Sequence, residues 1–139
     1  MTTAWLVTNR WLHWDKFEWQ FDQLVSKSDG KLARVTTDYA VTHLGEAPAT
    51  AFIMDKDVAA VAQLEASGVR CVNSSTSIAL CDNKAYTHAA LTKAGIAHPR
   101  TITAPLAYRN LDAAEWADSE FVRAVGELGY PCLLYTSPS

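Results

Sequence analysis

The sequence predicts an α/β fold built on a parallel, Rossmann-like sheet. Short apolar runs alternate with stretches of helical spacing, as βαβ units require. Clusters of Ser, Asp, Gly and Pro separate them, and right-handed crossovers then stack helices on the sheet in three layers. Hydrophobic residues make up 49% of the chain and charged residues 19%, a globular balance over 139 residues, enough for a domain with a real core.

The first run, Ala4-Trp5-Leu6-Val7-Thr8, ends at Asn9-Arg10 and predicts a buried strand. Asn9 and Arg10 stand where the carboxyl end of a parallel strand opens onto a ligand crevice. The plainer reading is a turn residue followed by a surface arginine. Trp14, Phe17, Phe21, Leu24 and Val25 then form a helical stripe that closes at Ser28-Asp29-Gly30. Trp11, Trp14 and Trp19 cannot share one face, which leaves at least one tryptophan exposed to a partner, a second copy of this chain included.

Ala33-Arg34-Val35-Thr36-Thr37 predicts the second strand, with a short helix or loop over Asp38 to Gly45 and a break at Glu46-Ala47-Pro48. Thr50-Ala51-Phe52-Ile53-Met54 predicts the third. Asp55 and Asp57 behind it read as helix-capping and crevice-lining groups. The next helix carries Val58, Val61, Ala62 and Leu64 and closes at Ser67-Gly68, before a fourth strand, Val69-Arg70-Cys71-Val72.

Ser74, Ser75, Thr76 and Ser77 supply oxygens for a one-turn helix starting near Ile78. Asp82 and Asn83 cap a further helix whose stripe, Thr87, Ala90, Leu91 and Ala94, predicts one buried face. Gly95 suits the left-handed residue that ends it, and Pro99 prevents its resumption. Lys84 is out of place on dipole grounds. A cation at a helix start costs a fraction of a kcal/mol unless an anion binds there, and phosphate is the natural anion. On spacing alone an ordinary solvated lysine is the simpler reading. After Pro99, Thr101-Ile102-Thr103 predicts a strand, Asp112 and Glu115 have capping-box spacing, and Phe121, Val122, Val125 and Leu128 form a last stripe ended by Gly129. Pro131 leads into a new apolar strand.

Several chemistries are excluded. There is no GxGxxG, no GxxxxGK[ST] and no GxSxG. His13, His43, His88 and His98 lack metal-like pairing, and Cys71, Cys81 and Cys132 form no CxxC; Cys71 reads as a small buried hydrophobe. Asp55 follows the third strand as a receiver-domain aspartate would, but Thr8 and Asn9 stand where that fold needs acids. A net charge of −3 gives no footprint for nucleic acid, and no apolar run spans a membrane. No signal-peptide pattern opens the chain, so the cytoplasm is the expected location.

The run Val72-Asn73-Ser74, Ile78, Cys81-Asp82-Asn83-Lys84, Thr87, Leu91, Ala94-Gly95-Ile96 and Pro99-Arg100-Thr101 resembles the hinge-proximal segment of ATP-grasp enzymes, closest to the RimK-like α-L-glutamate ligase branch. Element order extends the resemblance from Trp5 to about Pro131. It implies a pre-ATP-grasp Rossmann-like domain over residues 1–98 and the start of an ATP-grasp subdomain over 99–131. It also implies an ATP-dependent ligase that activates a small-molecule or peptide carboxylate as an acyl phosphate and joins it to an amine, with ATP and Mg2+ as cofactors. Lys84 would contact the ATP phosphates, and Asn9, Arg10, Asn73 and Ser74 would line the substrate crevice. No catalytic residue or metal ligand is expected within this stretch. Residues 132–139 resemble a translated sequencing adapter, with a genuine strand and polar tail as the other reading; the family's second phosphate lysine would fall near Tyr135, where it is absent. The rival readings are a non-catalytic Rossmann-like binding module and another branch, D-alanine–D-alanine ligase-like or carboxylase-like.

Overall fold

A computed structural model describes residues 2–11 and 15–129. By packing, the chain divides into two compact units, Met1–Asp82 and Asn83–Ser139. The first is an α/β unit with a four-stranded, all-parallel, Rossmann-like sheet.

Its elements are β1 (Ala4–Thr8), α1 (Asp15–Ser26), β2 (Leu32–Thr36), α2 (Thr37–Thr42), a 3-10 turn at Leu44–Glu46, β3 (Thr50–Met54), α3 (Val58–Ala66), β4 (Arg70–Val72) and α4 (Ser75–Asp82). Strand order is β2-β1-β3-β4. In register, Leu6 lies between Arg34 and Phe52, and Phe52 pairs with Val72. The inner strand β1 is buried from Trp5 through Thr8, the continuous apolar run expected of a strand covered on both faces.

One sheet face presents Trp5, Val7, Ala51, Ile53 and Cys71 to Ala40 of α2, Val61 and Leu64 of α3 and Ile78 of α4. These helices meet the sheet through small and branched side chains. On the other face Leu6 is buried, and α1 lies against β2 with Phe21 turned inward. There Arg34 of β2 forks onto Glu18 of α1, at 2.6 and 2.8 Å, and its guanidinium stacks over Phe21. Further along this face Phe52, Met54 and Val72 stay about 40% exposed, and β3 alternates buried and exposed in consequence.

The aromatic stripe expected in α1 is buried at Phe21 alone; Phe17 and Leu24 are exposed, and Trp14 lies outside the described residues. Trp11 and Trp19 are both about two-thirds exposed.

The second unit contains α5 (Lys84–Lys93), α6 (Ala113–Ala117) and α7 (Glu120–Gly126). The stripe expected in α5 is not buried: Thr87, Ala90 and Leu91 are half-buried and Ala94 is exposed. Thr101-Ile102-Thr103 forms no strand, because its backbone joins no ladder among the described residues. The strand expected after Pro131 and the tail lie outside the described residues. No described helix is long and apolar enough to cross a membrane.

Candidate functional site

In an open parallel sheet a crevice forms where the winding reverses, beyond the carboxyl ends of the strands. Here the chain passes from β1 to β2 on one side, then returns across β1 to β3, so the reversal lies between β1 and β3. Asn9 follows the first of these strands and Asp55 the second.

All three buried polar residues among those described, Thr8, Thr37 and Asp55, meet at this point. Asp55 is 8% exposed, and both of its carboxylate oxygens accept hydrogen bonds. Its Oδ1 accepts from the Lys56 amide at 2.6 Å and, less closely, from the Asp57 amide at 3.3 Å. Its Oδ2 accepts from the Thr37 hydroxyl, and the Asn9 Nδ2 amide straddles both oxygens at 3.3 and 3.1 Å. One carboxylate therefore ties the β1 loop, the start of α2 and the start of the β3–α3 loop together.

That tie shapes the next turn. With its amide nitrogen held by Asp55, Asn9 turns Oδ1 back to accept from the Trp11 amide at 2.9 Å, a tight Asx-type turn around Arg10. Arg10 then projects from the edge, its guanidinium carbon 4.6 Å over the Trp11 ring and its Nη1 3.5 Å from Asp38 Oδ2. Asp38 stands in the first turn of α2, where an anion suits the helix dipole. The neighbouring Thr36 hydroxyl, and after it the Arg10 charge acting against partial burial, hold the Asp38 carboxyl below its ordinary range. Its other oxygen, Oδ1, is buried with no hydrogen-bond partner.

Asn73 and Ser74 follow β4. Asn73 is exposed, with Nδ2 3.4 Å from the Ile53 carbonyl. The Ser74 hydroxyl accepts from the Ser77 amide at 3.1 Å and so caps α4, which begins at Ser75 and runs eight residues through Asp82, in place of the single turn expected from Ile78. The Ser75 amide and hydroxyl meet the Glu65 carboxylate of α3, which occupies the remaining anion position at that helix start. Lys56 pairs with Asp82. Asp57 caps α3, accepting from the Ala60 amide at 2.9 Å. The structure thus brings Asn9 and Arg10 together with Asp55, Thr37 and Asp38, and commits Ser74 to a cap.

Lys84 belongs to the second unit, where it is exposed as the first residue of α5. Asn83 caps this helix, its Oδ1 accepting from the Ala85 and Tyr86 amides at 2.9 and 3.4 Å. Two of the amides at the helix start are therefore taken. Gly95 adopts φ +68° at the far end, the left-handed residue expected there. No group of three or more His, Cys, Asp or Glu among the described residues could hold a metal ion, so these residues do not fit a magnesium site.

Cys71 is buried, and burial, with a smaller push from Glu65, raises its thiol above the ordinary range; it is a core residue and not a nucleophile. Sequence reasoning missed Thr37 and Asp38, because Thr37 reads as the end of a strand. The signal available was Thr36-Thr37-Asp38 itself, a hydroxyl cap followed by an acid, the usual opening of a helix. No protein-family model matches this chain, and comparison with curated proteins and with solved structures returns no match.

Proposed function

We propose that this chain supplies the amino-terminal part of an ATP-dependent carboxylate–amine ligase of the ATP-grasp type, RimK-like in its hinge segment. The observation that carries the reading is the junction at Asp82-Asn83-Lys84. There a Rossmann-like unit ends, and a new unit opens with a capped ten-residue helix whose first residue is a lysine. In this reading the Lys84 ammonium neutralises charge on the ATP phosphates, which lowers the barrier to phosphoryl transfer electrostatically. The switch-point edge at Asn9 and Arg10 faces the acid substrate. ATP supplies the activating phosphoryl group and Mg2+ its counter-charge; since the described residues hold no metal site, no step is assigned to the metal here. The enzyme works in the cytoplasm on a small-molecule or peptide acid and an amine.

The test uses the continuous reading frame that contains this chain, assayed for ADP formation that requires both an acid and an amine. Lys84→Ala in that protein is expected to weaken ATP binding by about tenfold or more, the worth of one charge-assisted phosphate contact. Unchanged nucleotide affinity in the variant would overturn the reading, as would ATP turnover by the 139-residue chain alone.

A second reading has its own support. The Asp55-centred edge lies wholly within the first unit and is complete there, as a non-catalytic binding module would need. A reading frame without a further phosphate-binding lysine or acidic metal ligands would favour it.

A further inference from the structure

We propose that Arg10 is a carboxylate receptor at the switch-point edge and that Asp38 is its built-in competitor. The inference rests on reading that edge as the acid-substrate side. Three features of the geometry lead to it. The turn that presents Arg10 is fixed from below by a buried carboxylate, through Asp55 to Asn9 and from Asn9 to the Trp11 amide. An arginine on a surface loop without such support would be free to wander. The guanidinium face lies over Trp11, which leaves its edge, the part that carries the N–H fork, for an anion.

The third feature is the poor match between Arg10 and its partner. A well-made arginine–carboxylate pair is bidentate at about 2.7–2.9 Å. Arg34 and Glu18 in this same unit make such a pair, at 2.6 and 2.8 Å. Arg10 and Asp38 touch through one nitrogen and one oxygen at 3.5 Å, and both side chains are 40% exposed or more. Asp38, fixed in the first turn of α2, offers Arg10 one oxygen and keeps the other buried without a hydrogen-bond partner. A free carboxylate has no such tether. It can approach in the plane of the guanidinium and take two N–H groups, leaving Asp38 to water and to Thr36. Phosphate is the other anion an arginine fork accepts. The planar geometry and an apolar wall at Trp11 favour the carboxylate.

The experiment is a titration of the 139-residue chain with glutarate, and separately with inorganic phosphate, at constant ionic strength. Binding is followed by the Trp11 indole N–H resonance and by isothermal titration calorimetry, both usable in every variant, with far-UV circular dichroism as the control for folding. The expected result is a saturable shift with glutarate that is lost in Arg10→Gln and weakened about tenfold in Arg10→Lys, which keeps the charge but not the fork. Asp38→Asn is expected to tighten glutarate binding about threefold, the order of one exposed ion pair removed. Absence of saturation in the unmodified chain would overturn the proposal. So would retained binding in Arg10→Gln, unchanged or weaker binding in Asp38→Asn, or tighter binding of phosphate than of glutarate. The ligase reading fails separately, through nucleotide affinity in Lys84→Ala. A receptor that survives while that affinity is unmoved leaves a binding module.

Discussion

The two units of this protein are built on opposite terms. From Ala4 to Asp82, thirteen hydrophobic side chains among the described residues are buried and the helices are held by what they pack against. From Asn83 to Gly129 no residue is buried, yet every helix has a side-chain cap. Asn83 caps α5, Asp112 and Glu115 close a reciprocal capping box on α6, and Ser119 caps α7. Local chemistry is enough to say where a helix begins. It does not supply a core, and caps are worth about 1 kcal/mol each where a buried leucine is worth several.

The sharpest way to break that contrast is a pair of matched truncations. Leu64→Ala removes a fully buried side chain from α3 and should cost about 3 kcal/mol or more, or prevent cooperative folding altogether. Leu91→Ala, half-buried in α5, should cost less than about 1 kcal/mol. Equal losses in chemical denaturation would remove the distinction. Next in size is Asp55→Ala. It strands the Thr37 hydroxyl, the Asn9 amide and two backbone amides in a buried place, and should cost about 2–3 kcal/mol. A loss below about 1 kcal/mol would mean that water replaces the carboxylate and that the edge is not rigid.

Asn83→Ala tests the other regime. It should lower hydrogen-exchange protection in the first turn of α5 by the order of 1 kcal/mol and leave protection in β1 and β3 unchanged. Loss of protection in the sheet would show that the cap serves the core as well. The smallest effect is electrostatic. The Arg34 hydrogen bond holds the Glu18 carboxyl below its ordinary range. A carboxyl lowered on folding stabilises the protein above its unfolded pKa, about 4.3, and that contribution disappears as pH falls through the folded value. Glu18→Gln should therefore lower stability at pH 7, fall nearly silent below the folded pKa, and so flatten the acid limb of the stability curve. An unchanged acid limb would leave the Arg34 pair without a stabilising role.

Much of the fold was legible because its signals are short-range. The four apolar runs became the four parallel strands to within a residue or two, and Gly95, the Asn83 cap and the Asp112–Glu115 box stand where spacing put them. The Thr101–Thr103 strand was misread because β-branched composition describes a strand only when a neighbour offers a ladder. The α5 stripe was misread for the same kind of reason: period 3.6 names a face, not what covers it. At the candidate site, Asn9 and Arg10 could be named from the end of an apolar run. Nothing in the order of residues could say that Thr37 and Asp55, eighteen positions apart, share a hydrogen bond.

By itself, then, the sequence determined the strands, the helix starts and stops, and the parallel α/β class. These follow from backbone sterics and from side chains that bond within a few residues of themselves. The tertiary structure alone decided the order β2-β1-β3-β4, and with it the point where winding reverses. It also decided that Asp55 would be buried there, meeting its donors from three separate segments, and that Arg10 would face a carboxylate too distant to satisfy it. The physical reason is that a crevice belongs to no single segment; it exists where chain ends far apart in sequence are brought to the same edge of a sheet.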